Sequence, residues 1–258
     1  MSDENYTFAV AVNNREILEK NLYLSPGLQK GHTHQLLIKE NYPSASLAYN
    51  DAIDKAANEI IIFIHQDIYL PETWFSDLSR CLSYLKEKKI NWGVLGCFGS
   101  RKEAHGGLGR VYTTGLGFHG RELTEPEPAE TLDEIILVFR KSSGLRFDPL
   151  FPHFHLYGTD ICMSARDKGM TNFAFQGFCV HNTNQLLSLP KEFYECYYHI
   201  KKKWSKFLPI YASCLLISRF DKDLHVKKFG ELTEKMMGKK RVPLRRIDDP
   251  RTVLGKER

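Results

Sequence analysis

The chain has 258 residues, of which 42% are hydrophobic and 12% aromatic, as in a globular protein with a substantial core. No run of 18 apolar residues is present, which argues against a transmembrane helix. The first residues, MSDENYTFAVAV, lack the pattern of a secretory signal. The six cysteines occur singly, without a C-x-x-C pair, so we expect reduced thiols and no cysteine zinc site in a cytoplasmic protein.

The net charge of +5 is concentrated at the C-terminal end of the chain. Residues 221–258 contain 12 Lys/Arg and 7 Asp/Glu, whereas residues 1–220 contain 24 of each. We therefore predict a folded domain over residues 1–220 and a basic tail over residues 221–258. A solvated tail is the preferred interpretation, and peripheral contact with the anionic inner face of a membrane is the alternative. Because the neutral body lacks excess positive charge, we do not expect a nucleic-acid partner.

The N-terminal quarter of the chain alternates between strand and helix patterns. Strands are predicted at TFAVAV (7–12), HQLLIKE (34–40) and EIIIFI (59–64), and helices at 15–24 and 44–58. The third strand is apolar on both faces, as in a parallel sheet covered by helices. This order predicts an α/β fold with a doubly wound sheet, in which ligands bind beyond the carboxyl ends of the strands.

The remainder of the chain has a less regular pattern. Further helices are predicted at 70–88 and 158–169, strands at 91–99, 132–142 and 170–183, and a helical, aromatic region at 190–218. Residues 124–131 are predicted to form a linker-like loop, and the glycine-rich residues 100–120 a mobile loop that could include a short hairpin. Within the latter, GGLGR (106–110) fits neither phosphate-binding fingerprint, so we interpret it as a flexible lid or acceptor loop.

The third predicted strand ends in a polar triplet, His65-Gln66-Asp67. An isolated acid there would most simply cap the helix that begins near Pro71. However, His65 and Asp67 are two residues apart, so their side chains point the same way from an extended chain. An imidazole and a carboxylate together can bind a divalent metal, and Mn²⁺ accepts both whereas Mg²⁺ prefers oxygen.

Four other side chains are candidates for the same site. Asp160 at a helix start is either a general base or an acid that stabilises the helix dipole. His181 is either a structural histidine or, together with Asp67, a metal ligand. Asn13 and Glu40 end the first two predicted strands and would therefore lie along the same sheet edge as His65.

Two long runs of the sequence resemble family 2 glycosyltransferases, which have the GT-A fold. ASLAYNDAIDKAANEIIIFIHQDIYLPETW resembles the central signature, with His65-Gln66-Asp67 in the place of the D-x-D motif, as in a bacterial subgroup. FDPLFPHFHLYGTDICMSARDKGMTNFAFQGFCVHNT resembles the second signature, with Thr159-Asp160 where many members carry two acids. The resemblance covers roughly residues 6–205, and it implies a GT-A-like mixed sheet flanked by helices, with a helical C-terminal extension.

The resemblance also implies an inverting glycosyltransferase of surface glycan, polysaccharide or glycoconjugate synthesis. Its donor would be a nucleotide sugar, most simply a UDP-sugar, and its acceptor a glycan or a lipid-linked hydroxyl. By position, the motif residues take the following roles: Asp67 as a metal ligand, His181 as a second metal ligand or a diphosphate contact, His65 as a donor or metal contact, Asp160 as the base, and Asn13, Glu40 and Asn50 as donor-binding residues.

The sequence departs from the family pattern at two places. His65 stands where the family has the first acid of the D-x-D motif. This replacement changes which metal the site would prefer, and Mn²⁺ is favoured over Mg²⁺. Of the Q-x-x-R-W motif of processive members, IKKKW (200–204) offers only Lys203-Trp204, which favours a single-transfer enzyme. Lys203 is either a phosphate contact or an exposed charge beside a core tryptophan.

Two other classes of function stay open at this point. A catalytically inactive module that binds a nucleotide or sugar would keep the fold but need no base. A metal-dependent phosphohydrolase built on His65, Asp67 and His181 would hydrolyse a phosphoester without a sugar acceptor.

Overall fold

The computed structural model describes residues 5–104, 107–185, 188–236 and 242–256. Of the predicted GGLGR loop, Gly106 lies outside the described residues, as do parts of the basic tail. Within the described part, no helix is both long enough and apolar enough to cross a membrane. All six cysteines are free thiols, and only Cys214 is exposed.

The regular elements follow the chain in this order: β1 Thr7–Val12, α1 Arg15–Glu19, β2 Gln35–Glu40, α2 Ala45–Lys55, β3 Ile60–His65, β4 Ile68–Tyr69, α3 Trp74–Glu87, β5 Trp92–Gly96, β6 Gly99–Ser100, β7 Gly109–Thr113, β8 Gly117–Arg121, β9 Glu127–Ala129, β10 Thr131–Leu132, β11 Ile136–Arg140, α4 Tyr157–Asp167, β12 Thr171–Ala174, β13 Val180–His181, α5 Lys191–Lys203, β14 Ile210–Tyr211, β15 Leu216–Ile217 and α6 Lys222–Met236. Short 3-10 turns lie at Leu22–Leu24, Pro26–Leu28, Lys141–Ser143, Ser205–Phe207 and Pro250–Lys256.

The central sheet has seven strands in the order β2-β1-β3-β11-β5-β12-β9. β1 pairs in parallel with both β2 and β3, as predicted from the alternating N-terminal pattern. β11 runs antiparallel to β3 and β5, which makes the sheet mixed. The inner positions of β3, Ile61 to Ile64, are fully buried, which explains why that strand is apolar on both faces. This architecture confirms the predicted α/β class with a mixed sheet flanked by helices.

The start of α2 shows why the second N-terminal crossover forms where it does. The hydroxyl of Ser44, in extended backbone, accepts a hydrogen bond from the backbone N–H of Leu47. This N-cap satisfies one of the free donors of the first turn, which typically contributes about 1 kcal/mol. Ala48, Ala52 and Ile53 then pack the buried side of the helix into the core.

A second sheet, in the order β4-β13-β7-β8, lies beyond the carboxyl end of β3. β4 begins one residue after Asp67, and it pairs antiparallel with β13 so that His181 faces Ile68. The backbone N–H of Asn182 donates to the carbonyl of Asp67 at 2.8 Å. This pairing brings His181 beside Asp67, although 113 residues separate them in the chain.

Several predicted boundaries are wrong, and each has a local cause. The strand predicted over 170–183 is two strands, because the chain leaves the central sheet after β12 and joins the second sheet at β13. The helix predicted from residue 70 begins at Trp74, because β4 ends at Tyr69 and the chain then turns at Pro71, whose carbonyl accepts from the backbone N–H of Trp74 at 3.0 Å. Of the helical region predicted at 190–218, only α5 is α-helical; Pro209, which cannot donate a backbone hydrogen bond, then precedes the β14-β15 hairpin.

The two predicted loops also contain strands. Residues 100–120 include most of the β7-β8 hairpin, in the loop where a short hairpin was considered. The linker-like segment 124–131 contains β9, whose pairing with β12 makes it the edge of the central sheet.

Parts of the basic tail pack against the rest of the protein. In the described part of the tail, α6 lies against β15, where Asp223 accepts from the backbone N–H of Leu216 at 3.1 Å, and its Leu224 is buried. Residues 242–256 return to the second sheet, where Val253 is fully buried in a small cluster with Tyr69 and Val180.

Candidate functional site

The carboxyl ends of three parallel strands form the sheet edge predicted to carry the site. His65 at the end of β3 lies opposite Ala11, and Glu40 at the end of β2 lies opposite Val12. Asn13 follows directly, and its side chain accepts a hydrogen bond from the amide of Gln66 at 2.5 Å. The edge is therefore polar, because each of the three strands ends in, or is followed directly by, a polar residue.

His65, Asp67 and His181 form a compact cluster at this edge. One potential ligand atom from each side chain lies within 4.8 Å of the other two. The Nε2 atom of His181 is 3.5 Å from Oδ1 of Asp67, and the two imidazole rings are 5.7 Å apart in an edge-on arrangement. The Asp67 side chain is only 10% exposed. The cluster is thus a partly enclosed group of two nitrogens and a carboxylate.

Burial and mutual charge set the protonation states of the cluster. Burial lowers the pKa of His65 to about 4, so its ring is neutral near pH 7. Burial acts to lower the pKa of His181 as well, but the adjacent Asp67 carboxylate outweighs it and raises that pKa. Burial likewise acts against the Asp67 carboxylate, and the positive neighbours His181, His65 and Arg246 nevertheless hold its pKa well below the usual value.

Tyr157 fixes the orientation and tautomer of His65. Its hydroxyl lies 2.8 Å from Nε2 of His65 and donates to the backbone carbonyl of Glu134 at 3.1 Å. Since the hydroxyl has one proton, the neutral His65 ring must donate from Nε2, which leaves the lone pair on Nδ1. A histidine whose other nitrogen is anchored in this way is the usual arrangement of a metal ligand.

The donor set fits a divalent metal such as Mn²⁺. Two neutral imidazole nitrogens and one ionised carboxylate oxygen suit the borderline first-row metals better than Mg²⁺, which prefers oxygen. Asp67 is ionised by its environment, His65 is neutral and presents Nδ1, and His181 becomes a ligand when it loses its proton. The chemistry of all three residues therefore agrees with the metal site predicted from the sequence.

Asp160 lies on the same helix as Tyr157, three residues further along α4. Its Oδ1 accepts from the indole N–H of Trp204 at 2.6 Å, and its Oδ2 from the ammonium of Lys203 at 2.9 Å. Burial raises its pKa, although Lys203 and Trp204 oppose this by stabilising the carboxylate. The predicted base is thus hydrogen-bonded to both Lys203 and Trp204 of the IKKKW run.

Two predicted donor-binding side chains have protein partners. Glu40 forms a two-pronged ion pair with Arg15, at 2.9 and 2.7 Å, on the same sheet edge as Asn13. Asn50 is hydrogen-bonded through both ends of its amide to the backbone of Phe147. Asn50 therefore anchors the segment before α4.

The sequence interpretation missed two residues near the cluster, Glu134 and Arg246. Glu134 is half-buried beside Asp133, and desolvation together with the Asp133 charge raises its pKa to about 8. An oxygen of its carboxyl group accepts from the backbone N–H of Leu156 at 2.9 Å, just before Tyr157. Arg246 reaches the cluster from the tail, with Nη2 at 3.3 Å from Oδ2 of Asp67. No motif signals these contacts, since Glu134 lies in a strand-like run and Arg246 in a run of charges.

Comparison with known proteins gives a family match over most of the chain. Residues 7–192 match the model of a family described as glycosyltransferase-like. The Fuscovulum blasticum protein "ATP synthase subunits region ORF 6" is 24% identical over 165 residues, covering 62% of this chain and 66% of that protein. The chain therefore spans just under two thirds of that relative's length.

Solved structures give weaker similarities. A197 from STIV has 12% identity and a TM-score of 0.43, covering 67% of this chain and 82% of that one. S. aureus TarS has 13% identity and a TM-score of 0.47, covering 77% of this chain and 39% of that one. Residues 1–349 of TarS in complex with UDP-GlcNAc have 14% identity and a TM-score of 0.46, covering 77% of this chain and 66% of that one.

Proposed function

Because the chain belongs to the glycosyltransferase-like family, we propose that it transfers a sugar from a nucleoside-diphosphate sugar to an acceptor hydroxyl with inversion at the anomeric carbon. The observation that carries this proposal is the cluster of His65, Asp67 and His181 at the carboxyl end of β3. It lies within the matched residues and at the edge where α/β sheets bind their ligands.

In this proposal the cluster receives the diphosphate of the donor. A divalent metal held there, with Mn²⁺ favoured over Mg²⁺, would supply positive charge that stabilises the departing nucleoside diphosphate. Asp67 and His181 would hold it, with His65 as the third contact. Tyr157 orients His65, and the partial burial of Asp67 limits competition from water.

Asp160 is proposed as the general base that takes the proton of the acceptor hydroxyl. Its support is its position on α4, where residues three apart share a face, so that Tyr157 and Asp160 extend from the same side of the helix. Burial raises its pKa, which makes the carboxylate a better proton acceptor. One of its two partners, Lys203 or Trp204, must yield an oxygen to the acceptor, and the half-exposed Lys203 is the more mobile of the two.

The donor pocket is proposed to extend along the sheet edge from the cluster towards Asn13 and Glu40. UDP is the favoured nucleotide, and Asn50 and Lys203 complete the predicted donor-binding set, with Asn50 acting through the Phe147 segment that it anchors. A glycan or lipid-linked acceptor in polysaccharide or glycoconjugate synthesis, a cytoplasmic location and contact between the basic tail and a membrane surface are parts of the same proposal.

Thermal unfolding with a panel of nucleoside diphosphates, with and without Mn²⁺, tests the donor site. A ligand at about a hundred times its dissociation constant should add roughly 2.7 kcal/mol of stability. We expect metal-dependent stabilisation of the wild type, its loss in Asp67→Asn, and its retention in Asp54→Asn, which removes an exposed acid outside the cluster. If no diphosphate stabilises the wild type, the proposed function is wrong.

The two alternative classes are separated by what happens after binding. An inactive binding module would bind the diphosphate equally well but would not consume a nucleotide sugar. A phosphohydrolase would release phosphate from a nucleoside diphosphate without any acceptor. Assaying sugar transfer and phosphate release on the same protein distinguishes all three.

A further inference from the structure

The C-terminal segment brings a cation into the cluster. Arg246, far outside the family match that ends at residue 192, pairs with Asp67 at 3.3 Å. We propose that Arg246 is a donor-binding residue that contacts the diphosphate of the nucleotide sugar. This inference rests on the proposed function and adds the tail to the donor site.

The segment that carries Arg246 is docked on the strand that carries His181. The side chain of Asn182 accepts from the backbone N–H of Ile247 at 2.9 Å and donates to the carbonyl of the same residue at 2.8 Å. The backbone N–H of Gln185 donates to the carbonyl of Leu244, also at 2.9 Å. Arg246 is therefore held between two anchored residues, so its place at the cluster is a built feature of the fold.

The guanidinium has unused donor capacity. Its Nε atom is buried without a hydrogen-bond partner among the described residues, and the side chain as a whole is 27% exposed. Buried donors without partners are uncommon in proteins because each loses its hydrogen bonds to water. A guanidinium presents its donors as a planar fork that matches a phosphate group, and such charge-assisted pairs are among the stronger hydrogen bonds.

Asp67 cannot serve Arg246 and a metal equally. Its Oδ1 faces His181 and its Oδ2 faces Arg246, so both carboxylate oxygens have partners. When Asp67 acts as a metal ligand, Arg246 is left beside the cluster with a weakened ion pair. An anion would then stabilise Arg246, since a partly buried cation with a weakened partner is costly. The diphosphate of the donor supplies that anion.

The test measures binding by calorimetry on the full chain, with Arg246→Gln and a matched control, Arg245→Gln, which removes the same charge from an exposed neighbour. The probes are Mn²⁺ alone, a series of nucleoside diphosphates (UDP, GDP, ADP, CDP and dTDP) with Mn²⁺, and the matching nucleosides with Mn²⁺. We expect Arg246→Gln to weaken the binding of the diphosphates by about tenfold or more. The nucleosides should bind this variant with the same affinity as the wild type. Mn²⁺ alone should bind the variant as tightly as the wild type or more tightly, because a competing cation is gone.

Two results would overturn the inference. Unchanged diphosphate affinity in Arg246→Gln would show that Arg246 makes no donor contact. Parallel loss of Mn²⁺ and diphosphate would show that Arg246 only supports the cluster. Arg246→Lys keeps the charge and the ion pair but loses the planar guanidinium. It should therefore weaken diphosphate binding to an extent between those of the wild type and Arg246→Gln. If the wild type binds no nucleoside diphosphate, the proposed function fails and takes this inference with it.

Discussion

The hydroxyl of Tyr157 lies 2.8 Å from Nε2 of His65 and links the first turn of α4 to the end of β3. Through this one contact Tyr157, which belongs to the second of the two glycosyltransferase-like runs, orients His65, which belongs to the first. It also assigns the neutral tautomer of His65, whose Nδ1 then carries the free lone pair.

Tyr157→Phe should therefore weaken the metal site without unfolding the protein. It removes the hydroxyl that orients His65, and loss of such an orienting partner typically costs about 10- to 100-fold in metal affinity or activity. Calorimetric titration with Mn²⁺ measures the effect. Tyr84→Phe, on the outer helix α3, is the control and should titrate like the wild type. Equal affinities for all three proteins would contradict the role assigned to Tyr157.

Asp160→Asn should abolish turnover while leaving donor binding intact. Removing a general base costs about 100- to 10,000-fold in rate. Asp148→Asn removes the other carboxylate that contacts Lys203, at 2.8 Å, and is the matched control. The measurement is sugar transfer from a panel of nucleotide sugars. Comparable rates for the two variants would exclude Asp160 as the base and leave it as a structural partner of Lys203 and Trp204.

Metal affinity should increase with pH near neutrality. Asp67 raises the pKa of His181, and the ring must lose its proton before it can bind a metal. Below that raised pKa, each pH unit should change Mn²⁺ affinity by up to about tenfold, with one proton released on binding. Titrations between about pH 6 and pH 8 measure this. An affinity independent of pH, or the same dependence in His181→Gln, would show that His181 is not a ligand.

Glu134→Gln should become stabilising as the pH rises. Burial and Asp133 raise the pKa of Glu134 from the ordinary 4.5 to about 8, so between these values the folded state holds a proton that the unfolded state has released. Stability of the wild type therefore falls as pH increases through this window, and above it the carboxylate is ionised in both states. One pKa unit corresponds to about 1.4 kcal/mol, but Glu134 is only half-buried and solvent screens part of the effect, so we expect a gap of about 1 to 3 kcal/mol between variant and wild type at alkaline pH.

Denaturant unfolding of both proteins across this pH range checks the prediction. The gap should be small at pH values below the ordinary pKa of glutamate and largest above that of the folded state. A gap that does not change with pH would mean that the folded protein does not hold Glu134 protonated.

The sequence was informative where the interactions that decide the structure are local. The apolar run of β3, the Ser44 cap of α2 and the pairing of His65 with Asp67 across one intervening residue are all visible in short segments. These features predicted the parallel core and the group of candidate metal ligands at its edge. His181 was a candidate metal ligand both from its pairing with Asp67 in the sequence argument and by family resemblance, and its Nε2 lies 3.5 Å from Oδ1 of Asp67.

The features that the sequence did not reveal depend on distant pairing. The run over 170–183 has a continuous strand pattern, and only the partner strands β5 and β4 divide it between two sheets. Arg246 and Asp67 are 179 residues apart, and in the sequence Arg246 is one of several basic residues in the tail. Charge composition alone does not distinguish a solvated arginine from one held at a cluster.

The most direct test of the account is electron-nuclear double resonance on Mn²⁺ bound to the protein with the nucleoside diphosphate that stabilises it most. The account predicts nitrogen couplings from His65 and His181 together with phosphorus couplings from the diphosphate on the same ion, and the loss of both in Asp67→Asn. Phosphorus couplings without nitrogen couplings, or a spectrum unchanged by Asp67→Asn, would place the metal elsewhere and contradict the proposed donor site.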